Sequence, residues 1–411
     1  MSTTSQESRC DGGRDSAIAR RTFLATAAAT AGAGLLPAFV RGAEGGKRYR
    51  VAVIGHTGRG EYGHGLDLVW QDVPGTEVVA VADPDPKGLA EAAKRLGAPK
   101  PFADYRKMLE EMKPDLVSIC PRFVDAHHDM VLAAAAAGVR GIYLEKPLCR
   151  TLEEADAMVV ACEKHKVKVA VAHQTRYSPK LKVVEELIAS GKLGRLLEVR
   201  TRGKEDARGG AEDLWVLGPH VLDLAQHLGG KPQGCFASVL EKGRPIRKED
   251  VHPGTEGIGL LAGDEVHATY RLAGGVMASF DSVRSAGGGP RFGVWILGSK
   301  GAIEMGTNYM PWAFFLPHTS WSQPRSKKNW LEITSAGVGK PEPLADKTPH
   351  RGNVLAVQDL IEAVEKDRKP IADITEARTA LEMVVAVFES QRQGKPVAIP
   401  LECRKDPLTR L

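Results

Sequence analysis

"VAVIGHTGRGEYGHG" runs from Val51 to Gly65, and its reading decides the fold. A short apolar run ends at Gly55, and Gly58, Gly60, Gly63 and Gly65 follow closely. A strand that ends in such a turn and opens a helix lets a diphosphate approach the backbone, and the helix start offers it free N–H groups. The spacing of Gly55, Gly58 and Gly60 is G-x-x-G-x-G, with Thr57 where the second glycine of the G-x-G-x-x-G pattern stands. The Thr57 hydroxyl can bond a phosphate oxygen, and its side chain adds bulk. The next β-rich run, "EVVAVAD", ends at Asp83. An acid there accepts the ribose hydroxyls of NAD and repels the 2′-phosphate of NADP. Arg59 offers a competing phosphate partner, so NAD is the expected cofactor and NADP stays open. The plainer reading of Asp83, in "ADPDP", is a turn-former after a strand.

Outward from this loop the text alternates. β-rich runs at 49–55, 77–83, 115–120, 140–147 and 167–173 are separated by helical stretches at 66–71, 86–96, 104–112, 125–137 and 152–164. Near-continuous apolar strands alternating with helices predict an α/β parallel sheet covered on both faces. After Tyr177 the pattern changes. A helix is expected over 179–190, then longer alternating strands over 196–202, 266–272, 276–283 and 292–297. These predict an open, largely antiparallel sheet with one uncovered side. Residues 317–349 read as a long loop, followed by helices over 354–366 and 375–391 and a strand over 396–400. The expected organisation is an N-terminal segment 1–43, a dinucleotide-binding domain 48–173 and a substrate-binding domain 174–411.

The N-terminal segment contains "ARRTFLATAAATAGAGLLPAFV", residues 19–40. Arg20-Arg21 followed by a short, Ala-rich apolar run resembles a twin-arginine export signal, whose machinery carries folded proteins. The run is too short and too weakly apolar for a membrane span. An extracytoplasmic, periplasmic location is therefore expected. The chain has 411 residues, 43% hydrophobic and 26% charged, an ordinary globular composition. Net charge is +5. Residues 1–43 carry Arg9, Arg14, Arg20, Arg21 and Arg41 against Glu7, Asp11 and Asp15, so the remainder is near +3. Neither a nucleic-acid nor a membrane partner is implied. Six scattered cysteines with no C-x-x-C pair do not form a disulfide framework and suit folding in a reducing compartment.

"VAVIGHTGRG", "VADPDP", "SICPRFVDAHHDMVLAAAAAG", "GIYLEKPLCRTLEEADAM", "RYSP" and "GPHVLDLAQHLGG" occur in an order that resembles the Gfo/Idh/MocA oxidoreductases, across nearly all of the chain after the signal. The resemblance implies an N-terminal Rossmann domain, a C-terminal α/β domain whose sheet makes a homo-oligomer, and oxidation or reduction of a sugar or cyclitol hydroxyl by a nicotinamide dinucleotide. It implies cofactor contacts from Pro121, Glu145 and Lys146, with Lys146 bridging nicotinamide ribose and substrate. Lys146–Pro147 is a candidate cis bond.

In "GPHVLDLAQH", His220, Asp223 and His227 share a helical face. The resemblance makes His220 the proton relay. Its usual partner, an Asp four residues earlier, is Val216 here, and Asp213 is the candidate substitute. Arg176 and Tyr177 would line the substrate side with Asp213 and Asp223, Gln174 replacing the family's Asn. His127 or His128 either approaches the cofactor or is a solvated helix-start residue. No metal is expected: the spacing of His220, Asp223 and His227 spreads them over two turns, with no outside ligand evident. Two further functions stay open, a redox-neutral NAD-dependent glycoside-cleaving enzyme and a non-catalytic NAD- or sugar-binding protein.

Overall fold

The structure, a computed structural model, describes residues 48–320 and 329–411; the segment 1–43, expected to be an export signal, lies outside them. Six parallel strands form the first sheet: β1 (Tyr49–Ile54), β2 (Thr76–Ala82), β3 (Lys100–Phe102), β4 (Leu116–Ile119), β5 (Gly141–Leu144) and β6 (Lys168–Val171). Their order is 3-2-1-4-5-6, which places the topological switch between β1 and β4. β3 was not expected. It is a three-residue edge strand holding Pro101, too short and polar to show a period.

The helices α1 (Pro86–Leu96), α2 (Tyr105–Met112), α3 (His127–Ala136) and α4 (Leu152–His165) begin at polar caps or short turns after the strands. Asp85 caps α1 by accepting from the Gly88 amide at 2.6 Å, Pro86 fills its first turn, and Gly97 ends it in the left-handed region. The helix expected over 66–71 is only a five-residue 3₁₀ turn, Leu68–Asp72. Gly60 at φ +85° and Gly63 at φ +62° hold the preceding loop in left-handed turns, so the glycine loop does not open an α-helix.

The second sheet is built on β7 (Leu196–Arg202), which follows α5 (Pro179–Ala189). α6 (Ala211–Val216) and α7 (Gly218–Gly229) lead to β8 (Pro232–Glu241) and the short β9 (Arg244–Pro245). β10 (His252–Pro253) pairs only with β11 (Leu260–Leu261). The chain returns to the large sheet as β12 (Glu265–Leu272), β13 (Met277–Val283), β14 (Gly293–Gly298), β15 (Ala302–Gly306) and β16 (Ala313–Leu316). β17 (Leu331–Thr334), β18 (Gly337–Val338) and β19 (Val397–Ala398) complete it. The order is 18-17-16-15-14-7-13-12-8-19, antiparallel except where β7 meets β13. β17 and β18 fall where an unstructured loop was expected: Phe314 pairs with Glu332, so the sheet edge recruits a segment with weak pattern of its own.

α7 and the long helix Ile374–Gln393 cover one face of this sheet. The opposite face is open. In register across it lie Phe236, Thr269, Ser279, Arg200, Trp295 and Glu304, with Phe236 53% exposed.

The helix Pro349–Glu365 lies against the first sheet although it follows the second in sequence. Buried Asn353 accepts from Tyr143 and from Gln174, both at 2.9 Å, and donates to the His64 carbonyl at 3.0 Å.

Candidate active site

The site lies at the carboxyl ends of β1, β2, β4, β5 and β6, where open α/β sheets bind ligands. A cavity of about 240 Å³ there is lined by Gly55, His56, Asp83, Pro84, Tyr105 and Met130, among others. Beside it Gly58, at φ +81°, has open space where a side chain would begin, so its backbone can be closely approached. Asp83 is fully buried and its oxygens are bonded to the protein itself. The Thr57 amide reaches both, at 3.1 and 3.0 Å, and the Asp85 amide reaches Oδ1 at 3.0 Å. The Thr57 hydroxyl and the Tyr62 phenol donate to Oδ2 at 2.7 and 2.9 Å. Thr57 therefore faces Asp83 rather than a phosphate. Arg59 is drawn to Asp125, and its guanidinium lies 4.8 Å from the Phe123 ring centre.

β5 delivers Glu145-Lys146-Pro147 to the crevice, and the Lys146–Pro147 bond is cis. Glu145 is 1% exposed. Its Oε2 pairs with His64 Nδ1 at 3.1 Å, and its Oε1 accepts from the Lys146 amide at 3.1 Å. Burial opposes its ionisation, but the His64 hydrogen bond and the Lys146 charge outweigh that and hold it below the usual carboxylate range. Lys146, 6% exposed, donates from Nζ to the Val216 carbonyl at 3.2 Å. Burial lowers its pKa; Glu145 and Glu256 oppose the shift, while Arg208 and Arg122 add to it.

His220 sits on the first turn of α7, which begins at Gly218-Pro219, and its ring meets His173 edge-on at 5.6 Å and Phe292 at 6.5 Å. Its pKa is pushed well below the usual imidazole range, by burial first and then by Lys146, His173 and His64. Among the described residues, no carboxylate is among the groups that bear on it. His173, 3% exposed, is also lowered, mainly by burial, and its Nδ1 has no protein partner. Lys146 and His220 are thus brought together, with His64 and His173 beside them. His64 and His173 escaped notice in the sequence. Their signal was position: His64 lies inside the glycine loop, and His173 follows β6 as Glu145 follows β5.

Several expected substrate residues are turned inward instead. Arg176 binds Asp223 at 3.1 Å, Glu376 at 2.8 Å and the Ile371 carbonyl at 3.0 Å. Arg176 and Asp223 are both buried and form a clamp between elements of the two domains. Tyr177 donates to Asp359 at 3.1 Å and fastens the helix Pro349–Glu365. Asp213 does not reach His220. Its Oδ2 accepts from Ser282 at 2.6 Å and from the Glu205 amide at 3.0 Å, and burial raises its pKa. α6 ends at Val216, and the break before α7 turns Asp213 toward β13.

His127 is buried between carbonyls, with Nε2 2.7 Å from Pro121 O and Nδ1 2.9 Å from Pro147 O. It ties the ends of β4 and β5 together, and Pro121 contributes through this carbonyl. His128 pairs with Asp129 at 2.9 Å. The imidazole of His227 turns to Glu185, so His220, Asp223 and His227 do not converge. Among the described residues, no group of three His, Cys, Asp or Glu side chains could hold a metal, and no helix is long and apolar enough to cross a membrane.

These residues fit a nicotinamide dinucleotide. The cavity beside Gly55 would hold the adenosine end, the Gly58 turn can be approached by the diphosphate, and Glu145 and Lys146 follow β5 at the carboxyl edge of the same sheet. Residues 49–173 match an oxidoreductase family with an NAD-binding Rossmann fold, and residues 185–399 match its C-terminal alpha/beta domain. The chain is 31% identical over 215 residues to D-apiose dehydrogenase of Paraburkholderia graminis, covering 50% of this chain and 56% of that protein. It is 27% identical over 361 residues to scyllo-inositol 2-dehydrogenase (NAD(+)) of Bacillus subtilis, covering 86% of this chain and 97% of that one. The solved structure of a levoglucosan dehydrogenase in complex with NADH shares the fold, at TM-score 0.69 and 23% identity, covering 86% of this chain and 100% of that one. With both of its domains matched, the chain belongs to the Gfo/Idh/MocA family of NAD(P)-binding oxidoreductases.

Proposed function

We propose that the protein moves a hydride between a sugar or cyclitol C–OH and a nicotinamide dinucleotide. The observation that carries this is buried Lys146 at the end of β5, held to the Val216 carbonyl, with its charge acting on buried His220 at the start of α7. The names of the relatives, dehydrogenases of D-apiose and scyllo-inositol, support the substrate class. The cofactor would supply the hydride acceptor. His220, neutral at neutral pH, can take the hydroxyl proton as hydride leaves carbon. Lys146 can donate a hydrogen bond to the same oxygen while its hold on Val216 O fixes the ammonium. Glu145, held ionised by His64, aligns the Lys146 amide and balances its charge.

A second reading is favoured by one observation. No carboxylate supports a protonated His220, which suits a reaction where the proton is returned within one turnover. This is redox-neutral glycoside cleavage with transient oxidation. Purification without added nucleotide, mass analysis of the released cofactor, and a sugar and glycoside screen with and without NAD test both readings. Net reduction of added NAD by a free sugar supports the first, and aglycone release without net reduction supports the second. No turnover with either, from protein that carries nucleotide, would sink both.

Export by the twin-arginine route to an extracytoplasmic location is part of the proposal and rests on Arg20 and Arg21. Assembly through the open sheet is supported by the exposed Phe236, Trp295 and Met277 on one face.

A further inference from the structure

We infer that Thr57 and Tyr62 withdraw Asp83 from the adenosine ribose, leaving the protein without the carboxylate that tells NAD from NADP. This rests on the dinucleotide reading above and deepens it. In a Rossmann fold the acid after the second strand accepts the ribose 2′-hydroxyl, so it must present an open oxygen edge to the crevice. A carboxylate has about four lone-pair sites. Those of Asp83 are taken by the amides of Thr57 and Asp85, the Thr57 hydroxyl and the Tyr62 phenol. The residue is 0% exposed.

The two side-chain donors are built in. A Cβ on Gly88 would lie 1.8 Å from Thr57 Oγ1, so the absence of a side chain on α1 makes the space that Thr57 fills. A Cβ on Gly55 would lie 2.2 Å from the Tyr62 ring, which presses on the loop there while the Arg95 guanidinium lies 4.7 Å from the ring centre. Two glycines of the chain thus serve the two residues that occupy Asp83. The glycine usual at position 57 would give no hydroxyl. Asp104 also lines the cavity, and Arg106 lies over the Tyr105 ring at 4.6 Å. Discrimination between NAD and NADP then does not run through a contact of the Asp83 carboxylate with the ribose.

The test is calorimetric titration of the full-length, nucleotide-stripped protein with NAD and with NADP. Asp83→Asn should move the ratio of the two dissociation constants by less than about fivefold, because the carboxylate does not touch the ribose. The double variant Thr57→Gly/Tyr62→Phe, which frees Oδ2 without touching Asp83, should shift the ratio toward NAD by more than about fivefold. A larger change with Asp83→Asn, or an unchanged ratio in the double variant, overturns the inference. Failure of both nucleotides to bind the wild-type protein removes the dinucleotide reading and this inference with it.

Discussion

Lys146 Nζ donates to the carbonyl of Val216 at 3.2 Å, joining the end of β5 to the end of α6. The position where relatives of this sequence pattern were expected to carry an acid thus serves the lysine through its backbone. A side chain at Val216 is not needed for that bond, and His220 is left without an acidic partner.

A buried ammonium held by one carbonyl is poorly solvated, so Lys146 weighs against stability. Its folded pKa lies below the unfolded value, so the unfolded chain binds more protons between the two. Stability therefore rises with pH through that window, up to the ordinary lysine value. Lys146→Met should abolish the chemical step while leaving stability unchanged or raising it by about 1 kcal/mol. Thermal unfolding beside single-turnover absorbance checks this, and a variant that is both active and less stable contradicts it.

The pH profile follows from His220 and Lys146. A proton acceptor whose pKa is pushed well below 6.5 is neutral at neutral pH, so the acid limb of kcat/KM should fall below 6.5. If the lysine acts charged, the alkaline limb should fall below 10.5. His220→Ala should cost about 10²–10⁴-fold and remove the acid limb. An acid limb that persists in that variant assigns it to another group.

Asp213→Asn separates the structure from the simplest sequence reading. Its carboxylate bonds Ser282 and the Glu205 amide, not His220. The variant should keep the wild-type pH profile, with any loss appearing as lower thermal stability. A shifted acid limb would place Asp213 back in the relay.

Arg176 should behave as a structural residue. Arg176→Met leaves Asp223 charged, buried and unpaired, which costs about 3–5 kcal/mol. Urea denaturation should show that loss, and KM at a temperature where the variant is folded should stay within about threefold. A large KM effect at unchanged stability would make Arg176 a substrate ligand after all.

Arg20→Lys with Arg21→Lys should leave the precursor in the cytosol, since the export machinery reads the guanidinium pair. Fractionation and immunoblotting measure this, and normal periplasmic yield of the double variant rules the route out.

The strands around the glycine loop, helix α1 and the Glu145-Lys146-Pro147 turn were legible in the sequence because period, caps and strand ends are local properties. What each polar group faces was not legible, because it depends on partners far along the chain. Arg176 meets Glu376, 200 positions away, and Asp213 meets Ser282, 69 away. Only the fold brings Thr57 and Tyr62 onto the Asp83 carboxylate, and only the fold sets the helix Pro349–Glu365 against the first sheet, where Asn353 bonds Tyr143. The sequence alone determined the central strands and main helices of the first sheet and which chemistry the crevice can hold. Only the tertiary structure decided which carboxylates remain free to use, because burying a charge forces it to take whatever donors the fold brings near.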